Sequence, residues 1–244
     1  MHFDSFSQFV DILDLLPCLR RVALNGVLWY DVDSDSDSEE DAPLPTYLSG
    51  SLADFVANCG FQQMAPVLRW LPSQPSIRRL AIAMGASSYI NPDTTLVSDV
   101  LRTLSGSLEH LIVCDAPRAV VPDPPCFTVL RTLEIAGIQP LPHNSRDDFQ
   151  WVPALLSQLN SPVLQRIVLV IRLQDRAGLD LLDWPRLAEI LGGIRSLRRV
   201  VFYLSSHKNW AAQVIKERLG PRTYALRVNQ LEGQYEYSLG MFDR

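Results

Sequence analysis

The sequence predicts an α/β solenoid in which short parallel strands alternate with helices. A six-residue apolar pattern, L-x-x-Φ-x-Φ with Φ an aliphatic or aromatic residue, recurs at intervals of 22 to 34 residues along the 244-residue chain. Repeats of this length indicate stacked units that share one continuous core. Seven copies begin with leucine or isoleucine and a weaker eighth begins with threonine: Leu19, Leu52, Ile77, Leu108, Leu130, Leu164, Leu197 and Thr223.

Each copy of the pattern is predicted to form a strand, and a helix is predicted before most copies. In each copy, predicted core positions alternate with positions that face the other side. The copies are also rich in β-branched residues, as strands usually are. Apolar residues three or four positions apart, between a capping residue and a proline or glycine, predict the helices. The helices begin near Ser5, Gln62, Asp93, Gln150, Asp183 and Asn209. Strands joined by such crossovers lie parallel, with the helices on one face of the sheet.

Two segments interrupt the repeats. The first extends from Asp31 to about Gly50; its low-complexity part, which ends at Asp41, has seven acidic residues and no basic one, and predicts a disordered insert. Without those seven acids the net charge of −5 becomes +2, so the remaining chain is nearly neutral. The second is the proline-rich stretch 116–127, where extended chain is expected to replace a helix. Because the core of a repeat array grows lengthwise, residues 1–244 are predicted to form one domain.

The sequence contains no motif of a known catalytic, cofactor or metal site. G-K, G-x-G-x-x-G and G-x-S-x-G are absent, and the four histidines lack metal-ligand spacing. We therefore expect no catalytic, cofactor-binding or metal-binding residue, and a protein that is not an enzyme. The near-neutral body predicts no nucleic-acid partner.

Cysteine usage and hydropathy predict an intracellular protein, cytoplasmic or nuclear. The four cysteines, Cys18, Cys59, Cys114 and Cys126, form no C-x-x-C pair, and two of them lie in or beside repeat patterns as small apolar residues. The N-terminus has no secretory signal pattern, and no run of 18 apolar residues exists. No association with a membrane is expected.

Three serines of the acidic insert are candidate phosphorylation sites. Ser34, Ser36 and Ser38 each precede an acidic residue by three positions, a pattern that suits acidophilic kinases. Each phosphate would add a charge of about −1.5 to −2. A solvated insert without a role is the alternative. A calcium-binding loop is excluded, because Ser36 and Ala42 occupy positions where an EF-hand loop needs glycine and glutamate.

The residues between the core positions are predicted to form the functional surface. Strand alternation turns them toward the sheet face opposite the helices, in columns that cross the strands. One column is rich in arginine, and its neighbours are largely apolar. An exposed apolar sheet face would be a partner site, whereas parallel strands buried on both faces would be ordinary core. The candidate protein-binding residues are Arg21, Arg79, His110, Arg166, Arg199 and Tyr203.

Several sequence segments resemble irregular leucine-rich-repeat proteins, and more closely the repeat region of fungal F-box-type proteins. They are LPCLRRVALNGV at Leu16–Val27, SLEHL at Ser107–Leu111 and LRTLEIAGI at Leu130–Ile138. The resemblance implies a leucine-rich-repeat-like solenoid with a curved parallel sheet, and a substrate receptor of a ubiquitin ligase. The F-box, a helical module that docks the ligase adaptor, does not fit before Leu19, so the adaptor is not expected to bind this chain.

Together, these features predict a non-enzymatic module that recognises a protein partner through its repeat surface. The alternative is a structural scaffold that self-associates through the apolar sheet face. A further hypothesis places the acidic insert across the arginine-rich column, where it would compete with an acidic partner.

Overall fold

In a computed structural model of the protein, eight parallel strands form one sheet and helices connect most of them. The structure describes residues 2–29, 52–59, 61–84, 94–114, 125–140, 149–173, 175–205, 209–221 and 224–230. The acidic insert with its three serines, and most of the 116–127 stretch, lie outside these residues. The described chain has an α/β fold, as the sequence predicts.

The eight strands of the sheet follow one another in space in their order along the chain. Every neighbouring pair is parallel. Each connection therefore brings the chain back to the end of the sheet at which all the strands begin. The strands are β2 (Arg21–Asn25), β4 (Asp54–Cys59), β5 (Arg79–Met84), β6 (His110–Cys114), β7 (Thr132–Ile138), β8 (Arg166–Ile171), β9 (Arg199–Leu204) and β10 (Ala225–Gln230). A separate two-stranded parallel sheet pairs β1 (His2–Phe3) with β3 (Leu28–Trp29).

All six predicted helices are present, together with one that the sequence did not indicate. They are α1 (Phe6–Asp14), α2 (Phe61–Trp70), α3 (Thr94–Leu104), α4 (Trp151–Gln158), α6 (Trp184–Gly193) and α7 (Asn209–Leu219), with the short α5 (Ala177–Asp180) in addition. Two predicted caps form: the side chains of Ser5 and Asp183 accept hydrogen bonds from the backbone N–H of Gln8 and Arg186, both at 3.2 Å. A 3₁₀ turn, Leu71–Ser73, follows α2. No described helix is both long and apolar enough to cross a membrane.

The Φ residues of the repeats form the core between the sheet and the helices. Phe55, Leu80, Leu133, Ile167 and Val200, each at a first Φ position, are fully buried, and their cluster includes the inward residues of the helices. Apolar residues at helical spacing on one face of each helix must be covered to remain out of water. The repeated pattern therefore fixes which side of each strand faces the helices.

Serine hydroxyls join successive repeats near the start of the strands. Ser76 donates to the backbone carbonyl of Leu52 and Ser196 donates to that of Leu164, both at 2.8 Å. In both cases the serine directly precedes the first apolar residue of one repeat, and the acceptor is the first residue of the preceding repeat. These bonds link residues that are 24 and 32 positions apart in the sequence.

We expect Ser196→Ala to destabilise the protein by about 1 kcal/mol, because the Leu164 carbonyl loses a partly buried donor. Urea unfolding monitored by circular dichroism measures the loss. Ser157→Ala is the matched control, since the Ser157 hydroxyl is exposed and bonds within its own helix, to the Ala154 carbonyl. Equal destabilisation by the two changes would contradict a role for Ser196 in joining the repeats.

Candidate functional site

The predicted arginine-rich column forms across the whole sheet. Its members face one another in register on consecutive strands, each residue being the direct partner of the next. The pairing confirms the order deduced from the repeats, because the first Φ residue of each repeat sets the phase of its strand. The column reads Arg21, Asp54, Arg79, His110, Thr132, Arg166, Arg199 and Ala225.

The residues just before this column are also in register and carry more arginines. Each of their carbonyls accepts hydrogen bonds from the next strand, as the Arg20 carbonyl does from the N–H groups of Ala53 and Asp54, both at 2.9 Å. We call these two rows the arginine edge; they lie at the N-terminal ends of strands β2 and β4 to β9. It holds eight of the chain's 22 lysines and arginines but only two acidic residues. Its arginines are Arg20, Arg21, Arg78, Arg79, Arg131, Arg166, Arg198 and Arg199.

The two acidic residues of the arginine edge are both paired. The Asp54 carboxylate lies 3.8 Å from Nε of Arg79, and the Glu109 carboxylate lies 3.6 Å from a guanidinium nitrogen of Arg78. Both arginine side chains are about half exposed or more, so these pairs add little to stability. Their effect is on the charge of the surface, since they neutralise the β4 to β6 part of the edge and leave the β8 to β9 part positive.

Arg166 and Arg199 lie directly opposite each other on β8 and β9. Neither forms an ion pair with another residue in the part of the chain that the structure describes. Arg199 is exposed, whereas Arg166 is half-buried and its Nε is shielded from solvent without a hydrogen-bond partner among the described residues. These two side chains are the one pair of arginines that are direct neighbours in the column.

His110 is neutral at physiological pH and adds no charge to the column. Burial, together with the positive charges of Arg79 and Arg166, lowers its pKa from 6.5 to about 4. Its imidazole can therefore donate and accept hydrogen bonds at the centre of the sheet. The sequence indicated the position of this residue but not its charge state.

Glu134 is a site residue that the prediction did not include. It lies on β7, two residues beyond Thr132 on the same face, and only 9 % of it is exposed. Burial raises its pKa from 4.5 to about 7, although the positive charge of Arg166 acts in the opposite direction. The signal in the sequence was the single acidic residue in a column of apolar ones, between Ile112 and Val168.

The apolar columns beside the arginine edge are buried on the central strands. Val56, Ala81, Ile112, Val168 and Val201 form a second cluster and are each at most 3 % exposed. Of the two interpretations that the sequence left open, ordinary core on both faces is therefore the observed one. The remaining candidate, Tyr203, is half-buried and packs against this second cluster.

The sequence also predicts a third column that does not continue across the sheet; it would read Asn25, Asn58, Ala83, Cys114, Ala136, Val170, Tyr203 and Asn229. Between β7 and β8 the register shifts after Ile135, which faces Leu169, so that Ile138 faces Ile171 and Ala136 does not pair with Val170. Gly137, with φ of 75°, provides the left-handed conformation that the extra residue of such a bulge requires. The arginine edge lies before this bulge and keeps its register.

Other possible sites are weaker among the described residues. No group of three or more histidine, cysteine or acidic side chains there is arranged to hold a metal ion. A cavity of about 360 Å³ beside helices α5 to α7 is lined by residues that include Asp180 and Arg218. Those two residues form an ion pair with each other, so neither offers an unpaired charge to a ligand in the cavity.

No protein-family model matches this chain, and no curated protein matches its sequence.

Proposed function

We propose that the chain is a non-enzymatic protein-recognition module that binds an acidic protein surface along the arginine edge. The single observation that carries this proposal is the placement of eight of 22 basic residues in two adjacent rows at the starts of the strands. Charge concentrated in this way in a chain of net charge −5 attracts an oppositely charged partner and orients it.

We further propose that the repeats form a leucine-rich-repeat-like solenoid, in an intracellular protein of the F-box-type receptor class. The agreement between strand order and chain order and the serine bonds between successive repeats support the solenoid. The ubiquitin-ligase role depends on the sequence resemblance alone. Cys18 and Cys126 are free thiols, which fits a reducing compartment.

The burial of the second cluster favours recognition over the scaffold alternative. Self-association through the apolar sheet face would need its side chains at the surface, and those of the central strands are already out of contact with solvent. The arginine edge, in contrast, has exposed side chains at Arg20, Arg78, Arg79, Arg131 and at two further positions, Arg198 and Arg199. A partner would therefore meet charged rather than apolar groups.

We expect the double substitution R79E/R199E to weaken partner binding strongly. The tagged chain and this variant are compared for the proteins that each captures. Every protein captured by only one of them is purified for direct measurement of Kd. Reversal of two charges at the interface should weaken binding by about a hundredfold or more, because like charges across an interface cost several kcal/mol. Binding by the unsubstituted chain should also weaken as salt is raised.

The matched control is R186E/R195E, which reverses two exposed arginines on and just after α6. This variant should keep its partners, and both variants should retain the circular dichroism spectrum of the parent. Identical sets of captured proteins for the two variants would contradict the proposal. Light scattering tests the scaffold alternative, which requires an oligomer that persists at high salt.

A further inference from the structure

We propose that Arg166 and Arg199 together bind a tetrahedral oxyanion with two negative charges, a phosphoryl or sulfate group. The inference rests on the proposed function, since the same arginine edge would carry the partner. It goes further by assigning a specific anion site within that edge.

The first argument is the placement of two positive charges side by side, neither of them in an ion pair among the described residues. Arg166 and Arg199 are direct partners on neighbouring strands, whose backbones are about 4.8 Å apart. Like charges in directly opposed positions are destabilising. Their neighbours in the column, Thr132 and Ala225, carry no charge. An anion held between the two guanidinium groups would remove the repulsion.

The second argument is the buried donor on Arg166. Its Nε has no hydrogen-bond partner among the described residues although it is shielded from water. A buried donor without an acceptor costs free energy, which an oxygen of a bound anion would recover. A guanidinium group presents its donors in a planar fork that suits phosphate and sulfate oxygens. The Thr132 hydroxyl, next in register, is a further donor on the same face.

The third argument concerns the charge of the ligand. One carboxylate would balance only one of the two arginines, as Asp54 does for Arg79 elsewhere in the column. A group with two negative charges balances both. Two in-register arginines with no acidic neighbour in the column therefore favour a doubly charged oxyanion over a carboxylate.

Glu134 makes this site sensitive to pH. The titratable described groups that face Glu134 are His110 and Cys114 on β6 and Arg166 on β8. Because burial raises the pKa of Glu134 to about 7, its carboxyl is mostly neutral at pH 6 and mostly ionised at pH 8. His110, with a pKa near 4, stays neutral over that range. Ionised Glu134 repels an anion held by Arg166, so binding should be tighter at pH 6.

The test uses the ¹⁵N-labelled full chain and sodium sulfate, which stays doubly charged at both pH values. Backbone amide and arginine Nε–Hε signals are followed by NMR, with sodium chloride at equal ionic strength as the reference. We expect a saturable shift. Arg199→Gln should weaken sulfate binding by about tenfold or more, since it removes charge-assisted hydrogen bonds. Arg195→Gln deletes the same charge at an exposed position outside the arginine edge and should change Kd by less than about twofold, as a screened surface charge does.

Each result has one meaning. A shift that does not saturate, or that is equal in the Arg199→Gln variant, would mean an adventitious ion only and would overturn the inference. Partner binding that still depends on Arg79 and Arg199 would then leave the proposed function intact. If sulfate binds as expected but no partner is lost on charge reversal, the function fails and the anion site stands.

Two further arms identify the source of the anion and the role of Glu134. Inorganic phosphate and O-phosphoserine are compared at equal concentration: tighter binding of the monoester indicates a phosphorylated molecule, and equal binding indicates the free ion. Glu134→Gln should remove the difference in sulfate affinity between pH 6 and pH 8. A difference that persists in this variant would contradict the arrangement of Arg166 beside Glu134.

Discussion

Replacing Trp70 with alanine should destabilise the protein by about 3–5 kcal/mol, the usual cost of removing a buried aromatic side chain. Trp70, at the end of α2, is the largest fully buried residue of the part of the chain that the structure describes. Its ring centroid lies 5.6 Å from that of Phe55 on β4 and 6.1 Å from that of Phe6 on α1. The indole therefore joins two helices and the sheet, and alanine would leave a cavity where three elements meet. Urea unfolding at constant pH measures the loss.

The corresponding phenylalanine variants separate packing from hydrogen bonding. Nε1 of Trp70 is buried without a partner among the described residues, whereas Nε1 of Trp184 donates to the Leu179 carbonyl at 2.6 Å. Trp70→Phe loses volume but also removes an unpaired donor, so we expect a cost below about 1.5 kcal/mol. Trp184→Phe loses both volume and a buried hydrogen bond and should cost more.

The order of these three variants is the critical outcome. Trp70→Ala should be the most destabilised, followed by Trp184→Phe and then Trp70→Phe. If Trp70→Phe proved as costly as Trp184→Phe, the indole N–H of Trp70 would have an acceptor after all. If Trp70→Ala cost less than about 2 kcal/mol, the surrounding side chains would have to collapse into the space, as poorly packed sites can.

The sequence predicted the arginine column because one physical constraint determines it. In a strand, a shift of one residue moves every side chain to the other face, so the buried Φ residues leave a single possible phase. The pattern thus determines, for each of the eight strands, which residues face the helices. This is enough to align Arg21, Asp54 and Arg79 with the rest of their column, whatever the conformation of the loops. The register after a β-bulge cannot be predicted in the same way. The shift between β7 and β8 at Gly137 is an example. A glycine in a strand can mark a bulge, but alternation alone does not say that it does.

Features that depend on tertiary surroundings were beyond the sequence. The two-residue strands β1 and β3 are too short to have a period, and the four-residue α5 has no apolar stripe to reveal it. Burial of the second sheet face depends on what covers the sheet, which strand periodicity does not contain. For the same reason Glu134 was counted as one more column residue, whereas the structure shows a carboxyl group held out of water beside Arg166.

Glu134→Gln should stabilise the protein at pH 8 and have a much smaller effect at pH 5. Burial raises the folded-state pKa of Glu134 to about 7 from its ordinary value of 4.5, so folding favours the protonated carboxyl. Its contribution to stability is therefore most favourable below pH 4.5 and is lost as the pH rises to 7. At 1.36 kcal/mol for each unit of pKa, the loss is about 3 kcal/mol above pH 7 and under about 1 kcal/mol at pH 5. Glutamine keeps the shape of the side chain without the charge.

His110 changes the stability in the opposite sense and must be separated from Glu134. Burial lowers the pKa of His110 to about 4, so its contribution is fully present above pH 6.5 and is lost as the pH falls toward 4. Both proteins contain His110, so the difference between Glu134→Gln and the parent cancels its effect at each pH. Urea unfolding at pH 5 and pH 8 gives the two differences. The same stabilisation at both pH values would contradict the titration of a buried Glu134.

The direction of this effect follows from where Glu134 lies in relation to the arginine edge. An acid placed for stability would pair with Arg166 and have a lowered pKa, as ion-paired carboxylates usually do. Here desolvation outweighs the attraction, so the carboxyl group destabilises the fold when it is ionised. If Glu134→Gln is more stable at pH 8 and also loses the pH dependence of sulfate binding, one side chain would be lowering stability while controlling the charge available at Arg166 and Arg199. A gain in stability without that loss would assign Glu134 to the core alone.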